Sequence, residues 1–528
     1  MKFKLSALAI AFVLSGCQSL ISPPDDEAAE AAEAGSELEV GVTLAAQTVS
    51  PEPKPAEPEV VLPPEDVWER IVAGLSLDIP DNERVDRFRQ WYINNPSHLA
   101  TVSRRAEPFM YLIVEEIEKR GLPIELALLP IVESSFDVFA YSAGAAAGIW
   151  QFTAPMGRHF GLTQNWWYDG RRDVYASTIA AMDMMEYLHG KLHNDWLYAF
   201  AAYNTGEGRV FRAIRNNKAE GKPTDYFALS LPGETERYVP QLLALADVVK
   251  NAEKYGIQLN PIANEPALER IDVGSQIDLS LAADLADMSV AELHKLNPGY
   301  NRWATSPDGP HALLLPIDKV DGFNLALADT DNAQRVNWVR YTVKSGDSLS
   351  VIAKKYHTRT GIIQSVNKMD GNMIRIGQTL LIPVAAKDQE DYVFSAEQRL
   401  ARHQSNKRAD FKVDHKVQSG DSLWTIARAN NVTVAQLASW NNMAPSDTLR
   451  LGQTLVIWVN KIATNQSKSS IMRQISYTVR SGDSLARIGQ RFKVNVNDLV
   501  RWNKLEGQKY LQPGQRLTLY VDVTRVQV

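Results

Sequence analysis

Between residues 107 and 255 the apolar positions recur at the three-to-four spacing of helices. EPFMYLIVEEIEKRG predicts an amphipathic helix stopped by Gly121. PIELALLPIVES predicts a second, with Pro123 near its first turn and Glu133 at its C-terminal end. Asp173 is placed to cap VYASTIAAMDMMEYLHGKL, whose Met and Leu stripe reads as core. WLYAFAAYN, GRVFRAIRN and ETERYVPQLLALADVVKNAEKYG predict further helices, and no alternating strand pattern competes with them. Residues 65–260 therefore read as one mainly helical domain.

After residue 340 the pattern changes to a repeat. YTVKSGDSLSVIAKKYH from Tyr341, HKVQSGDSLWTIARANN from His415 and YTVRSGDSLARIGQRFK from Tyr477 share an SGDSL core. An Asn follows 22 residues after the first serine of each core (Asn367, Asn441 and Asn503), and then a Gly-Gln pair precedes a short apolar run. Leu349, Ile352, Ala353 and Tyr356 share one helical face and TLLIPV ends the unit, so each unit predicts the order strand, helix, helix, strand. The units, bounded as 340–385, 414–460 and 476–522, resemble LysM domains, which bind glycans containing N-acetylglucosamine. The resemblance implies that a shallow groove is lined by Gly346, Asp347, Ser348 and Leu349, by Gly420, Asp421, Ser422 and Leu423, and by Gly482, Asp483, Ser484 and Leu485. The same Gly and Asp also suit a plain turn. Val366 stands where the later repeats have Trp440 and Trp502, so the first repeat departs from the pattern. Residues 268–320 echo the scheme without SGDSL, through VAELHKLNPGY with Asn297 and the strand ALLLPI, and read as a degenerate LysM-like unit. The polar stretches 386–413 and 461–475 read as linkers.

Composition adds a location and removes a partner. With 56 Lys and Arg against 62 Asp and Glu, the net charge of −6 supplies no basic surface for nucleic acid. MKFK, the apolar LSALAIAFVL and SGC form a secretory signal over residues 1–16, too short to span a bilayer as a helix. Leu14-Ser15-Gly16-Cys17 resembles the lipobox of bacterial lipoproteins, which implies that Cys17, the only cysteine, is lipidated and anchors the chain to a membrane. Gln18 rather than Asp follows it, which by the same resemblance favours the periplasmic face of the outer membrane. Residues 17–64, rich in Ala, Glu and Pro, read as a solvated tether.

The candidate chemistry lies in VESSFDVFAYSAGAAAGIWQF, residues 132–152, where one carboxylate, Glu133, precedes a Ser, Gly and Ala run. This stretch, with AAYNTGEGRV (Tyr203, Asn204) and ETERYV (Glu234), resembles in order the three motifs of soluble-type lytic transglycosylases. Together with the LysM repeats and the lipobox, the match is to the membrane-bound lytic murein transglycosylase D family. It implies a multidomain fold, with a mainly α, lysozyme-like (α+β) catalytic domain followed by small βααβ LysM domains. It also implies cleavage of the bond between N-acetylmuramic acid and N-acetylglucosamine in peptidoglycan without water, giving 1,6-anhydro ends and needing no cofactor or metal.

On that resemblance Glu133 is first acid and then base. Ile149, Trp150 and Phe152 are expected to supply an apolar setting that keeps it protonated. Ser142 and Gln151 hydrogen-bond sugar or orient Glu133, Tyr203 positions the carboxyl or the acetamido group, Asn204 holds the motif loop, and Glu234 contacts substrate. The small residues of the run let a glycan lie close to the backbone. A hydrolysing muramidase of goose-type lysozyme kind would instead need a second acid such as Asp169, which reads rather as a turn residue. A wall-binding scaffold without activity is the third reading. His189 and His193 have the spacing of a metal pair but lack the acidic neighbour and third ligand of a zinc helix.

Overall fold

The computed structural model describes residues 64–459, 472–505 and 511–522. The signal, Cys17, nearly all of the tether, and residues 460–471 of the second linker lie outside the described residues. Among the described residues no helix is long and apolar enough to cross a membrane.

The helical domain is built around the helix Thr235–Lys250, which packs on Glu83–Asn94 and Trp196–Thr205. One apolar core joins these to Met110–Lys119 and Val174–Lys191. Asp173 caps Val174–Lys191 by accepting the Ala176 N–H at 2.8 Å, and Gly121 ends the Met110–Lys119 segment with a φ of +64°. PIELALLPIVES is not the single helix its periodicity predicts. It forms a 3-10 turn, Ile124–Leu128, followed by a short helix, Leu129–Ser134. Pro130 has no N–H to continue the first ladder, so the second helix starts afresh around it. Glu133 consequently sits in the last turn of a six-residue helix.

Four small units follow, each with two antiparallel strands and two helices between them. Strand pairs Leu268–Asp272 with Ala312–Pro316, Asn337–Thr342 with Thr379–Val384, Phe411–Lys416 with Thr454–Val459, and Met472–Thr478 with Arg516–Asp522 define them. The last three begin three, three and four residues ahead of the bounds read from sequence, because Asn337 pairs with Val384, Phe411 with Val459 and Met472 with Asp522. The charges around Phe411 hide its alternation.

One residue closes all four units in the same way. Asn297, Asn367, Asn441 and Asn503 each donate to a carbonyl of the second helix and to one of the last strand, and each accepts an N–H from that strand. In the third unit these bonds run from Asn441 to Leu437 O and Val456 O at 2.8 Å and from Val456 N at 2.7 Å. Asn441 is 2% exposed, so Asn441→Ala strands buried backbone groups in that unit. The expected cost is about 3 kcal/mol, read as an earlier unfolding transition of the third unit by hydrogen exchange.

The degenerate unit is fused to the helical domain. Trp167 and Tyr168 belong to its core, and Asn301 donates to Trp167 O at 2.7 Å while Asp169 donates its N–H to Gly299 O at 2.8 Å. Gly299 is required there, since a Cβ would stand 2.8 Å from the Tyr168 ring.

Candidate active site

Glu133 is half-buried, and the chain turns sharply just after it. Ser135 and Phe136 both take left-handed backbone angles, φ +52° and +55°. Such angles cost on the order of 1 kcal/mol each and persist only where packing holds them. Here Phe136, 1% exposed, is the anchor, and the Ser135 and Phe136 N–H groups close on Ile131 O and Pro130 O. Ser134 then donates from its hydroxyl to Ile149 O at 3.0 Å, tying the turn to the GIWQF segment.

That segment and the Ser-Gly-Ala run form a tight loop, with Tyr141 bridged to Ala147 and Ala147 to Phe152. The Ser142 hydroxyl accepts the Ala146 N–H at 3.1 Å, and Ser142 O accepts the Ala145 N–H at 3.0 Å. Gln151 donates its side-chain amide to Gly148 O at 2.7 Å. Smallness at Gly148 serves internal packing: a Cβ there would lie 2.0 Å from Arg171 O, and φ is +77°. Ala143 and Gly144, by contrast, are exposed.

The carboxyl of Glu133 accepts the Tyr238 hydroxyl at 2.5 Å. Tyr203 donates to Trp150 O at 2.7 Å and lies in the field of the Glu133 charge. Burial pushes the Glu133 carboxyl up, the Tyr238 hydrogen bond pulls it partly back, and the exposed Glu234 adds repulsion; the result is about 7. Ile149, Trp150 and Phe152 are all buried in the adjoining core. Asn204 accepts the Thr235 hydroxyl at 2.8 Å, joining the second motif to the start of the helix that carries Tyr238. A groove of about 660 Å³ opens alongside, walled by Gln151, Phe152, Phe160, Tyr187, Tyr203 and Asn204. Glu133 is not among its walls; Tyr203 is the side chain common to both.

Asp169 is occupied elsewhere. Arg171 contacts it through Nε at 2.9 Å and Nη2 at 2.8 Å, and Arg172 through Nη1 at 2.7 Å. Burial opposes its charge, but the Arg171 hydrogen bonds and both guanidinium charges outweigh that and hold the carboxyl below its ordinary range. Arg171 also donates to Ala145 O and Phe152 O, so the cluster braces the loop behind Glu133. His189 stacks on Trp196 at 4.0 Å and His193 meets Phe211 edge-on, so both rings are packed against aromatics.

In the repeats, the SGDSL residues build a turn and a helix cap. Gly346, Gly420 and Gly482 hold φ of +86°, +90° and +88°. Asp347 accepts from Lys344 N and Tyr341 Oη at 2.7 and 2.8 Å, Asp421 from Gln418 N at 2.8 Å with His415 Nε2 at 2.7 Å, and Asp483 from Arg480 N and Tyr477 Oη at 2.8 and 2.6 Å. Ser348, Ser422 and Ser484 cap the following helices. Leu349 and Leu423 are buried, and Leu485 is half-buried against its own core. Asp421, Ser422 and Leu423 additionally wall a groove of about 590 Å³ with Trp424, Asp447 and Trp502.

Comparison with known proteins bears on this geometry. A Transglycosylase SLT domain matches residues 110–225, the LysM-like domain of lytic transglycosylase MltD matches 267–332, and LysM domains match 341–383, 415–458 and 477–519. Membrane-bound lytic murein transglycosylase D of Escherichia coli (strain K12) is 40% identical over 406 residues, 74% of this chain and 86% of that one. The chain belongs to the membrane-bound lytic murein transglycosylase D family. It is a lytic transglycosylase acting on peptidoglycan, with LysM domains that bind it. The autolysin of Enterococcus faecalis is 31% identical over 186 residues, 34% of this chain and 24% of that protein. The 70 kDa soluble lytic transglycosylase of Escherichia coli aligns over 33% of this chain and 32% of its own at 16% identity, with a TM-score of 0.24.

The surroundings of Glu133 contain one group that the sequence reading passed over. Tyr238 lies inside the ETERYV motif, four residues after Glu234, and its only signal is a phenol on the buried face of its helix. Because its hydrogen bond favours the charged carboxylate, Tyr238→Phe should move the basic limb of the activity profile up by about one pH unit. A roughly tenfold fall in kcat should accompany it. Initial rates on solubilised glycan strands across pH check both.

Proposed function

We propose that Glu133 carries both proton transfers of the lytic reaction. As the acid it protonates the glycosidic oxygen. As the base it takes the proton of the muramoyl C6 hydroxyl, which attacks C1 of the same sugar, so that the glycosidic bond breaks as the 1,6-anhydro ring closes. The observation that carries this reading is the Glu133 carboxyl itself, held by the Tyr238 hydroxyl at 2.5 Å and pushed up to about 7 by burial, while Asp169 is spent on two arginines. A group with that affinity is present in both forms near neutrality, which one residue doing both jobs requires. Tyr238 orients the carboxyl, Tyr203 faces the acetamido side, Gln151 and Asn204 border the sugar groove, Ser142 fixes the loop turn, and Glu234 holds up the Glu133 proton affinity from outside. A hydrolase that used Asp169 as the base for water would have to free it from Arg171 and Arg172.

The first 64 residues place the reaction. Their signal, lipobox Cys17 and Pro-rich tether support a lipid anchor at the periplasmic face of the outer membrane, and the Escherichia coli relative is named membrane-bound. The LysM units, tethered in series, raise a weak single-site affinity for the wall.

Mass spectrometry of fragments released from purified peptidoglycan by the chain beginning after Cys17 tests the chemistry. Anhydro-muramoyl ends from the native protein, absent with Glu133→Gln, are expected. Reducing ends carrying added water would overturn the one-carboxylate reading in favour of hydrolysis.

A further inference from the structure

The stretch 386–413, read from its polarity as a linker, is an ordered strap over its first twenty residues. It carries a 3-10 turn, Gln389–Asp391, and a helix, Ala396–Ser405. Tyr392 is fully buried, and its hydroxyl donates to Asp278 of the degenerate unit at 2.8 Å. Ala396 N donates to Asn301 O at 2.9 Å, and Glu397 pairs with Arg302.

The strap then clasps the catalytic domain six residues beyond Glu133. Phe394 stacks on Phe139 with centroids 5.0 Å apart and planes within 7°, and the Arg399 guanidinium lies 4.8 Å from the Phe139 ring. One turn and a half later the same helix holds the second LysM repeat. Gln404 donates to Oδ1 of the closing Asn441 at 2.7 Å, and the His403 ring meets Ser439 O. Ten helical residues span about 15 Å, so the repeat cannot stand far from Phe139.

A direct contact completes the bracket. The Tyr141 hydroxyl donates to the Asp447 carboxylate at 3.1 Å. Tyr141 is bridged to Ala147 in the catalytic loop, and Asp447 stands on the wall of the second repeat's groove, which Trp502 of the third repeat helps to line. Burial and the Asp447 charge push the Tyr141 phenol up to about 12, so it stays a donor at any physiological pH.

We propose that the strap and the Tyr141–Asp447 contact fix the second LysM groove at a set distance from Glu133, so that a strand seated there is cut at a defined length. Phe139, Tyr141, Phe394 and Gln404 are positioning residues in this scheme and touch no reacting atom. The proposal rests on the reading that this groove takes glycan, which a loss of binding to insoluble peptidoglycan by Trp424→Ala checks separately.

The test digests long, peptide-free glycan strands with the whole chain after Cys17, and separates the products by length. The native protein is expected to give a product distribution with one dominant length. The double variant Phe394→Ala, Gln404→Ala should spread it at least threefold in width, while its rate on a short soluble oligomer stays within twofold of native. An unchanged length distribution would overturn the proposal. So would a fall in the short-oligomer rate that parallels the change in length, because the strap would then only support the catalytic loop. Tyr141→Phe alone, which leaves the Phe139 clasp intact, should give an intermediate width; a native width with Tyr141→Phe would remove the contact from the scheme.

Discussion

Glu133→Gln is expected to lower the rate of peptidoglycan cleavage by about 10³ to 10⁴-fold while making the protein more stable at alkaline pH. The loss follows from one carboxyl serving as acid and base, since an amide can do neither and Asp169, held by two arginines, is not free to substitute. The gain follows from the same proton affinity. The folded value, about 7, lies above the ordinary 4.5, so the folded state holds the proton more tightly than the unfolded chain. Stability from this group is full below about pH 4.5 and is lost as pH rises through 7, where a buried charge must form. A difference near 2.5 pH units amounts to about 3 kcal/mol, which Gln, always neutral, does not forfeit. Urea unfolding at pH 5 and pH 8 reads it directly: the variant and the native chain should agree at the lower pH to within about 1 kcal/mol and separate at the higher one.

The second large effect is expected at Gly148→Ala. The new methyl would meet Arg171 O at 2.0 Å and Arg171 C at 2.9 Å, and these are backbone atoms that cannot rotate away. Left-handed φ adds its own penalty for a residue with a Cβ. We expect about 3 to 5 kcal/mol of destabilisation, at the upper end for overpacking. Relief requires parting the loop from Arg171, which also removes the bonds to Ala145 O and Phe152 O, so cleavage should fall with stability. Thermal unfolding and strand cleavage on one preparation measure both. Alanine at Gly144, whose nearest neighbour is the Ser142 hydroxyl at 3.7 Å, should change stability by less than about 1 kcal/mol.

The helices of the catalytic domain were legible because their apolar stripes are long, and the Asp173 cap because its side chain serves its own backbone. The break within PIELALLPIVES was not, since apolar spacing registers faces and is blind to the ladder that Pro130 interrupts. Glu133 stands out in its motif, whereas its hydrogen-bond partner Tyr238 does not: on the buried face of a helix a tyrosine and a core phenylalanine leave the same trace. The strap failed for the opposite reason. The polar stretch reads as solvated, yet its anchors are the Phe394 stack and the Arg399 guanidinium contact on Phe139. The repeat motif shows a further limit, because recurrence marks what each unit needs in order to fold as readily as what it binds. Gly, Asp, Ser and Leu of SGDSL each have a structural task in all three repeats.

The strand pairing of the small units also has a mechanical meaning. In each of the four, the first residue of the opening strand faces the last residue of the closing strand, as with Asn337 and Val384 or Phe411 and Val459. Chain enters and leaves at one edge, so a pull along the polypeptide peels the ladder a pair at a time instead of shearing every bond together. A unit of about 45 residues opened in this way pays out roughly 150 Å of chain. Under such a pull the modules act as yielding links, letting go of their own hydrogen bonds ahead of the helices that hold Glu133.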